Sequence, residues 1–243
     1  MSNEVAVITG GAGGIGRAAA RLFAQQGWRV ALVDRDREAL AAAGRELDAT
    51  TTVCDVADYD GVQAAGAALL REFGWVDVLV NNAGVSQPKP VVELSREEWE
   101  RTLAVNLSGA FHWAKALLPS MLERRKGCII IVSSVSAKHG GGQGTVSKAC
   151  YAASKAGLLG FARGLAREAA PHVRVNALCP GMIETPMTQA LIARAAEELK
   201  AAIPLGRLGT PQDVAGMIWL LASPYAEYLT GEIIDVNGGL YID

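Results

Sequence analysis

Tyr151 and Lys155 lie four residues apart in Cys150-Tyr151-Ala152-Ala153-Ser154-Lys155-Ala156, a stretch that reads as helix. At that spacing the phenol and the ammonium share one helix face, one turn apart. A cation beside a phenol favours the phenolate, which predicts a lowered pKa for Tyr151. Such a phenol can trade protons with an alcohol or a carbonyl near neutral pH. The same spacing also suits an amphipathic helix with its lysine in water, so the rest of the chain decides between the two.

A second group of residues suits a phosphate-bearing ligand. Gly10-Gly11-Ala12-Gly13-Gly14-Ile15-Gly16 falls between a β-branched apolar run and an Ala/Leu-rich helical period. Glycines there permit a tight turn, let backbone approach a ligand closely and let helix pack on strand. The helix N-terminus offers unpaired N–H groups and a positive dipole end to a pyrophosphate. Asp34 ends the next strand, where a carboxylate can accept hydrogen bonds from both hydroxyls of an adenosine ribose. It also repels a 2′-phosphate, which favours NAD, while the neighbouring Arg35 keeps NADP open. The glycine spacing differs from G-x-G-x-x-G.

Stepping along the chain, short apolar runs alternate with helical periods, the pattern of a parallel sheet covered on both faces. Strands are expected at Glu4–Thr9, Arg29–Val33, Thr52–Cys54, Val76–Val80, Ile129–Val132, Arg174–Leu178 and Ile233–Val236. Helices are expected at Arg17–Ala24, with Gly27 as its stop, and at about Asp36–Leu47 and Asp58–Phe73. Ser95 with Glu98 forms a capping box for a long helix carrying Asn106. Further helices hold Tyr151, span about Glu184–Ala202, and run from Pro211 to about Ala222. Thr9, Asp34, Asp55, Asn82, Ser134 and Pro180 then collect at the C-terminal edge of the sheet, where open α/β sheets bind ligands. The fold class is α/β: one Rossmann-like, doubly wound domain over residues 1–243, with about seven parallel strands.

Bulk properties exclude other classes. A net charge of -2 argues against nucleic acid or an anionic membrane as the main partner. Arg124-Arg125-Lys126 is the one compact basic run and reads as a solvated helix end. Cys54, Cys128, Cys150 and Cys179 suggest neither zinc nor disulfides, and read as reduced, mostly buried thiols of a cytoplasmic protein. His112, His139 and His172 are scattered, so no metal site is expected. No signal peptide is expected, and no apolar run nears the roughly 20 residues of a membrane helix.

Taken together, these motifs resemble the classical short-chain dehydrogenase/reductase family over nearly the whole chain. Thr9-Gly10-x-x-x-Gly14-x-Gly16 is similar to its cofactor motif, and Asn81-Asn82-Ala83-Gly84 to its N-N-A-G. Asn106 resembles its catalytic Asn, and Ser134, Tyr151 and Lys155 its Ser and Y-x-x-x-K. Pro180-Gly181 and Thr185 resemble the segment that contacts nicotinamide. The resemblance implies catalysis by Asn106, Ser134, Tyr151 and Lys155. It implies cofactor contacts from Gly10, Gly13, Gly14, Ile15, Gly16, Asp34, Arg35, Asp55, Val56, Asn82, Ala83, Gly84, Tyr151, Lys155, Pro180, Gly181, Ile183 and Thr185. In the implied mechanism Tyr151 exchanges a proton with a carbonyl or secondary alcohol, Lys155 lowers its pKa and holds the nicotinamide ribose, and Ser134 steadies the substrate oxygen. Asn106 holds a water leading from Lys155 to solvent.

One departure stands out. Ser134 precedes Tyr151 by about four residues more than the family pattern, leaving Ser136 and Ser147 as alternatives. The added length reads as a tolerated insertion, or as Lys138, His139 and the glycines helping to form the substrate mouth. Asn176–Met187 and Pro204–Leu208 resemble 3-oxoacyl-acyl carrier protein reductases, with Arg125 at one carrier-docking position and the second docking Arg missing. A sugar, polyol or other secondary-alcohol dehydrogenase is the alternative, with a lid at about 184–205 shaping the site. A catalytically idle nucleotide-sensing protein is the more distant one. A homo-oligomer, dimer or tetramer, is implied by the resemblance.

Overall fold

A computed structural model describes residues 3–141 and 148–242. The chain alternates strands and helices: β1 Val5–Thr9, α1 Gly14–Gln25, β2 Arg29–Asp34, α2 Arg37–Leu47, β3 Thr50–Val53, α3 Tyr59–Phe73 and β4 Val78–Asn81. It continues with α4 Arg96–Leu103, a π-turn Ala104–Ser108, α5 Gly109–Arg124, β5 Gly127–Val132, α6 Ser136–His139 and α7 Ala149–Ala169. β6 Val173–Pro180, α8 Gln189–Ala201, α9 Pro211–Ala222 and β7 Ile233–Val236 complete it. The seven strands form one parallel sheet in the order β3-β2-β1-β4-β5-β6-β7.

Period-2 side-chain alternation builds two cores from one sheet. Val5, Val7, Ile129 and Ile131 face α3, α5 and α7, packing with Leu69, Trp113, Leu117 and Leu158. Ala6, Ile8, Ile130 and Val132 face α1, α2 and α9, packing with Phe23, Leu40, Val214 and Ile218. Each buried Val, Leu or Ile among them contributes about 1.5–3 kcal/mol by leaving water. Helix starts follow their caps. Asp36 accepts from Glu38 and Ala39 N–H, Asp58 from Gly61, and capping boxes join Ser95 to Glu98 and Thr210 to Asp213. Gly27, at φ 80, stops α1 as expected.

The departures from expectation have local causes. β6 runs two residues further, to Pro180, because β7 pairs with it through Cys179↔Asp235 and Pro180↔Val236. The long helix through Asn106 is interrupted by the π-turn, where the Gly109 N–H reaches back to the Ala104 carbonyl. The lid helix begins at Gln189 and kinks at Ala195. A one-turn helix, α6, follows β5 where only loop was expected, and the serine alternative Ser147 lies outside the described residues. The basic run is more than a solvated helix end. Arg124 and Lys126 approach Asp77 Oδ1 at 3.3 and 3.4 Å, and Asp77 is only 3% exposed. That carboxylate also accepts the Val5 N–H at 2.9 Å, tying the base of β1 to α5. All four cysteines are free and buried. Among the described residues, no helix is long and apolar enough to cross a membrane.

Candidate active site

β1 and β4 are adjacent in the sheet, but the chain leaves them in opposite directions. This switch point opens a crevice at their C-terminal ends. Gly10 turns there with φ +63, and a Cβ on it would meet Asn82 Nδ2 at 2.8 Å. Gly16 is packed harder: a Cβ would lie 2.2 Å from the Gly10 carbonyl oxygen. Only glycine therefore lets α1 start close behind the β1 turn. Thr9 and Asn82 stitch the opposite wall. Thr9 Oγ1 accepts the N–H groups of Asn82 and Ala83 at 3.0 and 3.1 Å. Asn82 Nδ2 donates to the carbonyls of Thr9 and Gly10 at 3.0 and 3.2 Å. No side chain caps the N-terminus of α1, so its first N–H groups remain available to a ligand.

The crevice holds two cavities that share Gly10, Asp34, Ala83 and Gly84. The larger, about 310 Å³, is lined by Gly13, Gly14, Ile15, Asn82, Ser134, Tyr151, Lys155, Pro180, Gly181, Ile183 and Thr185. The smaller, about 120 Å³, is lined by Arg35, Asp55 and Val56. Of the expected cofactor contacts, Gly16 alone lines neither, because it serves the packing of α1. A trough running from an acid-flanked end, past a helix N-terminus, to a tyrosine and lysine fits an extended dinucleotide.

At the first end Asp34 is held rigidly. Its Oδ2 accepts the Ala12 N–H at 3.2 Å and its Oδ1 the Asp36 N–H at 3.1 Å. Asp55 accepts the Ala57 N–H at 3.0 Å and pairs with Arg101 at 2.7 Å. Burial raises the Asp55 pKa, but the Ala57 N–H and the Arg101 guanidinium outweigh it, and the carboxyl lies below its usual range. Arg101 was not foreseen from sequence. Its only signal was a place on the helix five residues before Asn106.

At the other end four side chains come together. Tyr151, Lys155, Ser134 and Asn106 are all buried. The Lys155 ammonium donates to the Val132 carbonyl at 2.9 Å and sits 5.8 Å from the centroid of the Tyr151 ring. Ser133 Oγ donates to the Lys155 carbonyl at 2.7 Å, so the end of β5 grips α7 at two points. The Ser134 hydroxyl lines the cavity beside Tyr151, and its Oγ accepts the Ser136 N–H at 3.1 Å. That geometry favours Ser134 over Ser136, whose side chain lines neither cavity. The π-turn aims Asn106 inward. Its Oδ1 accepts the Val85 N–H at 2.8 Å, while Nδ2 donates to the Val85 carbonyl and Ser154 Oγ, both at 3.0 Å. With both ends of the amide engaged by protein, the side chain ties the Val85 backbone beside Gly84 to α7.

The expected lowering of the Tyr151 pKa is reversed. Burial pushes the phenol up to about 12, and the Ser134 hydroxyl offsets only part of that. Burial also pushes Lys155 down to about 8, with the neighbouring Cys179 acting weakly in the other direction. Desolvation is the largest cause of both shifts.

The lid is rooted by an Ile183↔Gly209 bridge, and Thr188 Oγ1 donates to the Ile183 carbonyl at 2.6 Å. It brings Pro186, Met187 and Thr188 to the cleft, together with Thr185 opposite Gly14. Pro186, Met187 and Thr188 fall within the expected lid at about 184–205, in the turn before α8, and were not named singly as lining residues.

The sheet order, the glycine turn at the switch point and the trough beyond it define a dinucleotide-binding α/β protein. A family model described as enoyl-(acyl carrier protein) reductase matches residues 10–241. A 3-oxoacyl-[acyl-carrier-protein] reductase FabG of Thermotoga maritima is 40% identical, with 100% of this chain and 99% of the relative covered. An uncharacterized short-chain type dehydrogenase/reductase of Sinorhizobium fredii is also 40% identical, over 100% of this chain and 99% of its own. A crystal structure from Brucella melitensis, titled short-chain dehydrogenase/reductase SDR:Glucose/ribitol dehydrogenase, superposes with a TM-score of 0.93 at 38% identity. That match covers 100% of this chain and 98% of the other. The chain belongs to the short-chain dehydrogenase/reductase family, and it is a nicotinamide-dependent oxidoreductase acting on CH–OH groups and the corresponding carbonyls.

Proposed function

We propose that the protein interconverts a 3-oxoacyl thioester and its 3-hydroxy form, with NAD(H) as cofactor and Tyr151 as the proton-transfer group. The observation carrying the substrate class is the apolar reacting end of the cleft. Val132, Ile183, Pro186 and Met187 line it beside Ser134, Tyr151, Thr185 and Thr188, and among the described residues Lys155 is the one cationic side chain there. A sugar or polyol needs several polar partners in a site, because each buried hydroxyl left unpaired costs about 1–3 kcal/mol. The name of the Thermotoga maritima relative points the same way.

A nicotinamide bound in the cleft would supply or accept the hydride. The chain's own residues handle the proton and the charge. In reduction the Tyr151 hydroxyl donates its proton to the carbonyl oxygen. Ser134, oriented by the Ser136 N–H, directs its hydroxyl at that same oxygen and steadies the developing charge. Lys155 has one of its three N–H bonds on Val132, leaving others for ribose hydroxyls, and its cation stabilises the phenolate left behind. Asn106 keeps the Gly84 wall and α7 at a fixed separation. Residues 184–205 act as the lid.

Cofactor choice rests on Asp34. Its carboxylate is pinned by two backbone N–H groups at the end of β2, so a 2′-phosphate would meet a fixed negative charge. Arg35 and Arg101 flank the same cavity without displacing it. A panel of 3-oxoacyl thioesters, simple ketones and polyols, each followed by absorbance with NADH or NAD and with their phosphorylated forms, tests both points. The highest kcat/KM is expected for a 3-oxoacyl thioester with NADH. A polyol with the highest kcat/KM overturns the substrate class. A higher kcat/KM with NADPH overturns the cofactor assignment. Binding without turnover across the whole panel supports a sensing protein instead.

A further inference from the structure

Lys138 and Asp235 are 97 residues apart in sequence, and the Lys138 ammonium meets Asp235 Oδ2 at 2.6 Å. Their side chains are 11% and 25% exposed, so this is a largely sheltered pair rather than a surface contact. Lys138 is the third residue of α6, and Asp235 sits on the edge strand β7. Between them lies the end of β6, where Cys179 pairs with Asp235 and Pro180 with Val236. The ion pair therefore crosses the strand end that presents Pro180 and Gly181 to the cleft. The Lys138 ammonium also lies 5.3 Å from the centroid of the Tyr241 ring, which adds a cation–π contact from the C-terminal segment.

α6 needs such an anchor. It has four residues, and a single helical turn has no stability of its own. Yet it carries the N–H that orients Ser134. Ser136 N donates to Ser134 Oγ at 3.1 Å, Ala137 N to the Ser134 carbonyl at 3.0 Å, and Val135 N to the Pro180 carbonyl at 2.9 Å. The other oxygen of Asp235, Oδ1, is buried and has no hydrogen-bond partner among the described residues. Its charge is thus compensated by Lys138, and loss of the lysine would leave a sheltered carboxylate unpaired.

We propose that Lys138 is a positioning residue: its ion pair with Asp235 latches α6 across the end of β6 and so aims the Ser134 hydroxyl at the reacting oxygen. Neither residue lines the cavity that holds Ser134, Tyr151 and Lys155. The latch acts on catalysis only through Ser134, and it rests on the role given to Ser134 and Tyr151 under Proposed function. It also gives a purpose to the longer stretch between Ser134 and Tyr151, whose first turn carries the lysine.

The test compares Lys138→Met, Lys138→Arg, Asp235→Asn and the Lys138→Met/Asp235→Asn pair in the full chain, with Tyr151→Phe alongside. Lys138→Met is expected to lower kcat on the order of ten-fold, as a small misplacement of a catalytic group does. NADH affinity, followed by cofactor fluorescence, should stay within about two-fold of the parent, since neither Lys138 nor Asp235 lines the cofactor trough. Lys138→Arg should recover most of the kcat, and the double variant should be no slower than Lys138→Met because the pair acts as a unit. Hydrogen exchange should show lost protection at the Ala137 and Gly140 amides of Lys138→Met, with β5 and β6 unchanged. Asp235→Asn reads out the same latch if Lys138→Met does not fold. A kcat within two-fold of the parent in both single variants overturns the proposal. So does a loss that Arg fails to restore, an additive double variant, or unchanged exchange in α6. If Tyr151→Phe turns over normally, the reading of the active site fails instead. If Tyr151→Phe is inactive while Lys138→Met and Asp235→Asn are both normal, only the latch fails.

Discussion

At pH 7 the Tyr151 phenol, pushed up to about 12, holds its proton, and Lys155, pushed down to about 8, is still mostly charged. That is the pairing a reductase needs: an acid ready to donate and a cation ready to receive the phenolate's charge. Replacing Tyr151 by Phe removes the proton and leaves the ring packing in place. We expect kcat to fall by roughly 10²–10⁴-fold while NADH affinity, measured by fluorescence titration, changes little. The pH profile carries a second expectation. As pH rises through about 8, Lys155 loses its charge, so kcat/KM for reduction should decline on the alkaline side with an inflection near there. Tyr151 itself does not ionise until about 12, so it does not set that limb. An arginine cannot deprotonate in this range, and Lys155→Arg should flatten the inflection in whatever activity remains. An unchanged inflection in that variant would assign it to another group.

Elements matter here through what they bring into register. α1 approaches β1 closely enough to present its N-terminus to the crevice because Gly16 has no Cβ. A methyl there would sit 2.2 Å from the Gly10 carbonyl, and backbone cannot move aside as a flexible side chain can. Gly16→Ala should therefore shift the start of α1, destabilise the fold by about 1–3 kcal/mol and weaken NADH binding on the order of ten-fold. Chemical denaturation and calorimetric titration measure the two effects. A variant with parental affinity would mean that the helix start is not what holds the cofactor. The π-turn before α5 and the short α6 do comparable work on the other side of the crevice. One turns Asn106 inward, and the other offers Ser134 an N–H.

Across the whole molecule, buried thiols dominate the response to alkali. Burial pushes Cys54, Cys128 and Cys179 up to about 11, and Tyr151 up to about 12. The folded chain keeps these protons over a range in which the unfolded chain, at 9.0 for the thiols and 10.0 for the phenol, gives them up. The stability they contribute is complete below pH 9 and is lost as pH rises toward 11–12. Lys155 acts in the opposite sense between about 8 and 10.5, but it is one group against four. Thermal melts should show Tm falling steadily above pH 9. A Cys128→Ala variant should fall less steeply, and parallel curves would contradict the assignment.

The alternation of strands and helices, the glycine turn, the acid after β2 and the Tyr151–Lys155 pair were all legible in the order of residues. Each depends on local periodicity, a steric demand on a few neighbouring positions, or the pitch of one helix. Packing decided the rest. Spacing alone suggested that Lys155 lowers the Tyr151 pKa, because spacing carries no record of how much water each group loses. It placed Arg124 and Lys126 in solvent, because Asp77 reaches them only once β4 is seated beside α5. Arg101 at Asp55 and Lys138 at Asp235 likewise join residues far apart in the chain. Such partners meet only when the sheet is assembled, and their energies depend on the desolvation that assembly imposes.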